Sequence, residues 1–344
     1  MDIKSGYKTE KFNTSFSTDG WLGLYMGAML VNIFVSVIRI PLPYIITDVF
    51  VAGSFTVLLS IIQIFMMVFL IVAAYSRAIL VFINTLSLNG KRFSTNLNHN
   101  MLFSVMLANI FLSIFTLGIY IPWGYKAIID KIVENVEYEG NKCFKFSSYA
   151  SQLFSFIVVS IVVMFILAFV LVLSIVVVVN YGGVIGVMFF PIMIVLFVAF
   201  IATLCAVQVF TINWAINLKM ASDRKNATYS LNINISSAIL FYLGQTMLLV
   251  VTFGFYVGAY MINIYDYFVS RIVEKTDENI TGNLRFVKPI GKGAGFLLGQ
   301  VILTSLTMGF YSPFALVEYS NFFINNTYLD TVETKEVETV VINP

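Results

Sequence analysis

Between Lys145 and Lys219 the chain carries no charged side chain, and only the polar turn Asn180-Tyr181-Gly182-Gly183 interrupts it. A soluble helix of that length still needs a wet face, so an uncharged stretch this long belongs in hydrocarbon. It reads as a central membrane hairpin, 152–213, with helices near 152–179 and 184–213. Composition agrees with this: 59% hydrophobic and 11% charged residues leave too little polar surface to cover a water-soluble globule. The formal net charge of +2 supplies no basic field of the kind that attracts nucleic acid, and the expected partner is the lipid bilayer.

A span takes about 20 largely apolar residues to cross a hydrocarbon core of about 30 Å. Besides the central pair, windows near 21–38, 52–75, 101–121, 235–260 and 294–317 qualify. The first twenty residues are polar and lack the apolar core of a signal peptide, so 1–20 reads as a cytoplasmic N-terminal segment. The membrane domain is then 21–323, followed by a polar C-terminal tail, 324–344.

Charge tests how these windows are threaded. All Lys and Arg residues except Arg39 fall into five polar blocks and the tail. Seven simply alternating spans would divide them almost evenly between the two sides, which defies the bias of cytoplasmic loops toward Lys and Arg. Placing every block on the cytoplasmic side restores the bias, but the chain must then return after the windows at 101, 235 and 294.

Self-comparison supplies the returns. TLGIYIPW at 116–123 aligns without gaps with TMGFYSPF at 307–314, and TFGFYVGA at 252–259 keeps the T-x-G-x-Y frame. Ala108-Asn109, Gly244-Gln245 and Gly299-Gln300 precede the three threonines at one common distance. LVNIFVSV at 30–37 resembles LANIFLSI at 107–114 as a partial fourth copy. The repeat-like units fall near 21–93, 101–146, 235–286 and 294–330, around the central hairpin. Thr116, Gly118, Tyr120 and Pro122, with Thr252, Gly254, Tyr256, Thr307, Gly309, Tyr311 and Pro313, form a candidate helix break, because glycine and proline interrupt a helix. An amphipathic stretch follows each break. It places Asp130, Asp266 and Asn321 at equivalent positions, with Glu318 nearby, and these join Gln245 and Gln300 as a candidate polar membrane site.

Polar segments with strand alternation follow the return arms at 84–93, 135–146 and 278–286, each around a glycine, Gly90, Gly140 or Gly282. They read as cytoplasmic β-hairpins, with 226–236 and 326–341 as two more. The expected fold is therefore an all-α polytopic membrane protein of about seven or more transmembrane or re-entrant helices, decorated by small β-hairpins that offer an edge to a protein partner.

The string T-[LM]-G-[IF]-Y-x-P-[WF], an amphipathic helix, and then N-[VT]-x-Y-x-G-x-x-F-x-F resembles the YjgN family of bacterial inner-membrane proteins. The similarity runs from about residue 12 to about 330; in the third copy Gly258 and Ala259 stand in place of the proline and aromatic. The resemblance implies a multi-pass inner-membrane protein and brings no established activity.

No metalloprotease, hydrolase or phosphate-loop motif is present, and Gly291-Lys292-Gly293-Ala294-Gly295 reads as a flexible approach to a membrane helix. His99 is the only histidine; Cys143 and Cys205, the only cysteines, read as free thiols. No cofactor, metal or enzymatic activity is expected. Two functions remain: transport or permeation of a small solute, ion or lipid through the broken helices, or a non-transporting scaffold or regulatory subunit that docks a partner, or a second copy, through its hairpins.

Overall fold

The computed structural model describes residues 7–40, 49–142, 144–181, 183–220, 227–276 and 279–332. Among these, pairs of helices alternate with pairs of strands. The chain opens with β1 (Tyr7–Thr14), α1 (Leu22–Arg39), α2 (Val49–Thr85), β2 (Leu86–Leu88) and β3 (Lys91–Thr95). Then come α3 (His99–Phe115), α4 (Ile121–Val133), β4 (Val136–Tyr138), β5 (Asn141–Lys142) and β6 (Phe144–Phe146). Next are α5 (Ala150–Tyr181), α6 (Gly183–Ala215), β7 (Leu218–Met220) and β8 (Thr228–Leu231). The last part holds α7 (Ile235–Val251), α8 (Val257–Val269), β9 (Ile272–Thr276), β10 (Asn279–Phe286), α9 (Ile290–Leu306), α10 (Ser312–Asn325) and β11 (Thr327–Val332).

The strands form one antiparallel sheet in the order β5-β4-β3-β2-β1-β11-β10-β9-β8-β7-β6. Its two end strands, β5 and β6, are separated along the chain by a single residue, so the edges lie within about 8 Å of one another and the sheet is a nearly closed ring. The expectation of an all-α fold with separate hairpins is corrected here. An isolated hairpin is marginal in water, but each helix pair returns the chain beside the strand it left, and neighbouring hairpins complete one another's ladders. β1 and the start of β11 draw the segments expected as a terminal extension and a tail into the middle of that sheet.

Local sequence explains the turns. Asn89-Gly90 (φ 51° and 80°) and Glu139-Gly140 (φ 54° and 79°) form tight hairpin turns with both central residues left-handed. Gly282 is different: it sits inside β10 at a register shift, opposite Glu274 of β9, and a Cβ there would stand 2.8 Å from the Glu274 carboxylate. The segment 278–286 is therefore not a hairpin about Gly282, because its glycine makes room for a buried side chain. Of the segments expected as further hairpins, 226–236 and 326–341, residues 228–231 supply one strand between β7 and β9, and 327–332 one strand between β1 and β10; residues 226 and 333–341 lie outside the described residues. One face of the ring packs Phe12, Leu88, Phe93, Tyr138 and Leu329 beneath Ile83 of α2 and Ile132 of α4, which seats the helices on the sheet.

Sequence neighbours pack throughout the bundle, and α10 meets α1 where Tyr25 Oη and Ser312 Oγ hydrogen-bond and Val317 joins Trp21 in one cluster. Among the described residues, four helical segments are long and apolar enough to span a membrane: Leu22–Arg39, Phe50–Thr85, Ala150–Asn180 and Phe189–Ala215. The windows at 101, 235 and 294 give only 17-residue helices, each about 25 Å long. Every helix pair starts and ends in the same sheet, so the polar blocks share one end of the molecule.

The exposed sheet positions Ser94, Asn141, Lys219 and Asn279 therefore lie at one end of the helix bundle. Introduced singly as cysteines in a chain lacking Cys143 and Cys205, all four are expected to react with an impermeant maleimide from the same side; labelling of any one from the opposite side contradicts this topology.

Candidate functional site

The T-x-G-x-Y segments adopt one backbone geometry three times. Leu117 and Gly118 have φ 50° and 89°, Phe253 and Gly254 49° and 88°, Met308 and Gly309 50° and 91°. Two consecutive left-handed residues reverse the helix within a single tight turn, and the second favours glycine because a Cβ is disfavoured there. The preceding threonine hydroxyl serves both arms. It donates back to Leu112 O, Leu248 O or Leu303 O at 2.7–2.8 Å, and accepts from the Tyr120, Tyr256 or Tyr311 amide at 3.0–3.2 Å. The motif is thus a cap shared by two helices, and its tip is apolar: Leu117, Phe253 and Met308 are at least 90% exposed.

Behind the turns, the helix faces differ. Pro122 and Pro313 are buried in the first turns of α4 and α10. Gly258 occupies the equivalent place in α8, where a Cβ would stand 2.0 Å from Ala294 O of α9. The departure from proline therefore has a packing cause: the backbone of α9 lies against this position. In α3, Asn109 is buried against Gly124 of α4. In α7, Gln245 Oε1 accepts from Tyr256 Oη at 2.8 Å and from Asn263 Nδ2 at 3.2 Å, and Asn263 also donates to Tyr256 Oη at 2.8 Å. Gln300 of α9 is 8% exposed, and its Oε1 has no hydrogen-bond partner among the described residues. An unpaired buried carbonyl of this kind costs about 1–3 kcal/mol.

The acidic candidates are placed apart. Asp130 pairs with Lys126 on its own helix at 2.8 Å, while Asp266 pairs with Lys288 at 2.7 Å and accepts from Ser270 Oγ at 2.9 Å. Both lie in the last turn of a return helix, next to the sheet, and bind separate lysines. Asn321 instead accepts from Phe16 N and donates to Phe16 O, both at 3.0 Å, while Asn325 treats Thr14 in the same way at 2.7 and 3.2 Å. The two carboxamides imitate a neighbouring strand and fasten α10 to the end of β1. Glu318 is exposed. His99 Nδ1 lies 3.1 Å from Ser76 Oγ, and burial, aided by the Arg77 charge, lowers its pKa. Cys205 is buried, and Cys143 lies outside the described residues. The glycine run at 291–295 falls inside α9, and Gly293 admits the ring of Phe322.

A cavity of about 310 Å³ opens between α1, α2, α9 and α10, where the helix ring closes. Tyr25, Tyr75 and Tyr319 line it together with Trp21 and the hydroxyl residues Thr304, Ser305 and Ser312. These aromatics are scattered over the sequence and carry no shared spacing, so only the fold collects them. Sequence reasoning also misses Asn263, although it falls one helical turn before Asp266. A further amide pair, Asn32 and Gln63, bonds across the α1–α2 hairpin and Gln63 also accepts from Arg39; Asn32 is legible in the partial fourth copy.

A family model described as a bacterial protein of unknown function (DUF898) matches residues 22–284. No curated protein and no solved structure matches the chain.

Replacing Gly258 by alanine forces a Cβ into the α9 backbone and is expected to destabilise the protein by about 1–3 kcal/mol, read as a lowered thermal midpoint in detergent. Gly244→Ala, where a Cβ meets nothing within 4 Å, is expected to leave the midpoint unchanged or raise it.

Proposed function

The chain belongs to the YjgN-like family of bacterial proteins of unknown function, and from its geometry we propose that it moves membrane lipids or similar amphiphiles between leaflets of the bacterial inner membrane. The carrying observation is an asymmetry of length. α6 (33 residues) and α2 (37 residues) bracket a sector in which α7 and α9 have only 17. At about 1.5 Å per residue the short helices reach about 25 Å, and their exposed apolar tips end within hydrocarbon.

A hydrophobic element shorter than the bilayer is accommodated by local thinning. Thinning lowers the barrier for a polar headgroup, and the sector carries groups that a headgroup recognises: Thr304, Ser305 and Ser312 at the seam cavity, and Gln245, Tyr256 and Asn263 within the hairpin α7–α8. Orientation follows from charge: the Lys- and Arg-bearing blocks gather at the sheet end, which the positive-inside bias puts in the cytoplasm with the N-terminal segment. The internal repetition supports the same reading, since repeated helix units in membrane transporters surround the path. Docking through a free strand edge has less to support it, because the ring leaves only the outer sides of β5 and β6 open among the described strands.

The test is vesicle reconstitution with a trace of acyl-labelled lipid and external dithionite. The protein is expected to expose the inner-leaflet label to reduction within minutes, and Thr304→Leu with Ser312→Leu to slow that step about fivefold, the worth of one hydrogen bond. Label that stays protected in protein-containing vesicles overturns the proposal.

A further inference from the structure

The hairpins α7–α8 and α9–α10 have the same turn but different polar interiors. In both, a glutamine stands seven residues before the threonine and a tyrosine four residues after it; eleven residues after it stands Asn263 in the first and Glu318 in the second. The first set is complete, with Asn263 and Tyr256 both donating to Gln245 Oε1. In the second the donor amide is replaced by a carboxylate, which as an ion only accepts. Gln300 Oε1 is accordingly buried with no hydrogen-bond partner among the described residues, whereas Glu318, one element away, is exposed.

We propose that Gln300, Glu318 and Tyr311 form a recognition site for a ligand ammonium group, supplied by the primary-amine headgroup of a membrane lipid. The backbone turn is the same in both hairpins to within a few degrees, so Tyr311 and Glu318 hold on α10 the helical positions that Tyr256 and Asn263 hold on α8, while Gln300 Oε1 takes a bond from neither. A primary ammonium carries three N–H donors and a positive charge. It supplies the donor that Gln300 lacks, pairs with the Glu318 carboxylate, and leaves its third proton for the Tyr311 oxygen. A quaternary ammonium has no N–H to give and leaves Gln300 unpaired, so the site selects phosphatidylethanolamine over phosphatidylcholine. Glu318 at the exposed surface of the short-hairpin sector gives the headgroup access from the bilayer. The inference rests on the lipid-moving reading for the source of its ligand.

Thermal unfolding of the full chain in detergent, with short-chain phosphatidylethanolamine or phosphatidylcholine added, tests it. Phosphatidylethanolamine is expected to raise the midpoint of the wild-type protein and phosphatidylcholine to leave it unmoved. Glu318→Gln is expected to abolish the response. Glu318→Asn rebuilds the amide of the sister hairpin, and is expected to raise the midpoint without lipid and to remove the response as well. Equal shifts with the two lipids, or a response retained in Glu318→Gln, overturns the site. The same lipids in the dithionite assay separate the two ideas. Movement of both lipids at equal rates overturns the selectivity and leaves the transport reading standing; selective stabilisation with no movement overturns the transport reading and leaves the site.

Discussion

The rest of the structure depends on the antiparallel pairing of β1 with β11. Tyr7 to Lys11 lie opposite Val332 to Tyr328, joining the two ends of the described chain in the middle of the sheet, and every helix pair stands on that sheet. On its outer side Arg285 binds Asp330 at 2.7 Å and Thr9 donates to the same carboxylate at 2.8 Å. The Arg285 hydrogen bond, against the opposing effect of burial and with help from Thr9 and the Arg285 charge, holds Asp330 below the usual carboxylate range. A depressed carboxylate stabilises the fold above its unfolded pKa, and that contribution is lost as pH falls through the folded value. The junction is therefore acid-sensitive. Asn321 and Asn325 then couple it to α10, so that sheet closure and helix closure occur at one place.

This closure gives meaning to the helix lengths. Each helix pair is a loop of the ring, long in two cases and short in three. The backbone at a short tip, surrounded by exposed apolar side chains, is satisfied within the turn itself. The shared threonine cap and the two left-handed residues do this, with Gly118 N, Gly254 N and Gly309 N bonding back to Ser113 O, Leu249 O and Thr304 O at 2.7–2.9 Å. Polarity inside the hairpins is then confined to a few amides and hydroxyls, and the proposed lipid path uses what those leave over.

Much of this is legible in the sequence. Spacing alone locates the three T-x-G-x-Y turns and the return helices, because a left-handed glycine and a capping threonine are local requirements. The uncharged run between Lys145 and Lys219 marks the central hairpin for an equally direct reason. The sheet is not legible as a whole. Its strands have two to eight residues, too short for alternation to separate strand from loop, and β1 pairs with residues more than 300 positions away. Gly282 misleads because a glycine in a polar segment signals a turn, whereas here it yields space to Glu274. Asp130 and Asp266 occupy equivalent positions in sequence and structure alike, but their lysine partners lie on different elements, one on the same helix and one ahead of α9. The seam cavity depends wholly on the closure and has no sequence signal.

The pairing of β1 with β11 is tested most directly by a disulfide between them. Lys11 and Tyr328 are register partners, so a chain carrying cysteines at these two positions and lacking Cys143 and Cys205 is expected to cross-link readily under mild oxidation in the membrane, forming one loop of nearly the whole protein. Pairing of Lys11→Cys with a cysteine at Leu284, two strands over in the sheet order, is expected to fail. A chain in which the 11–328 pair stays reduced while the 11–284 pair closes would contradict the β1–β11 junction.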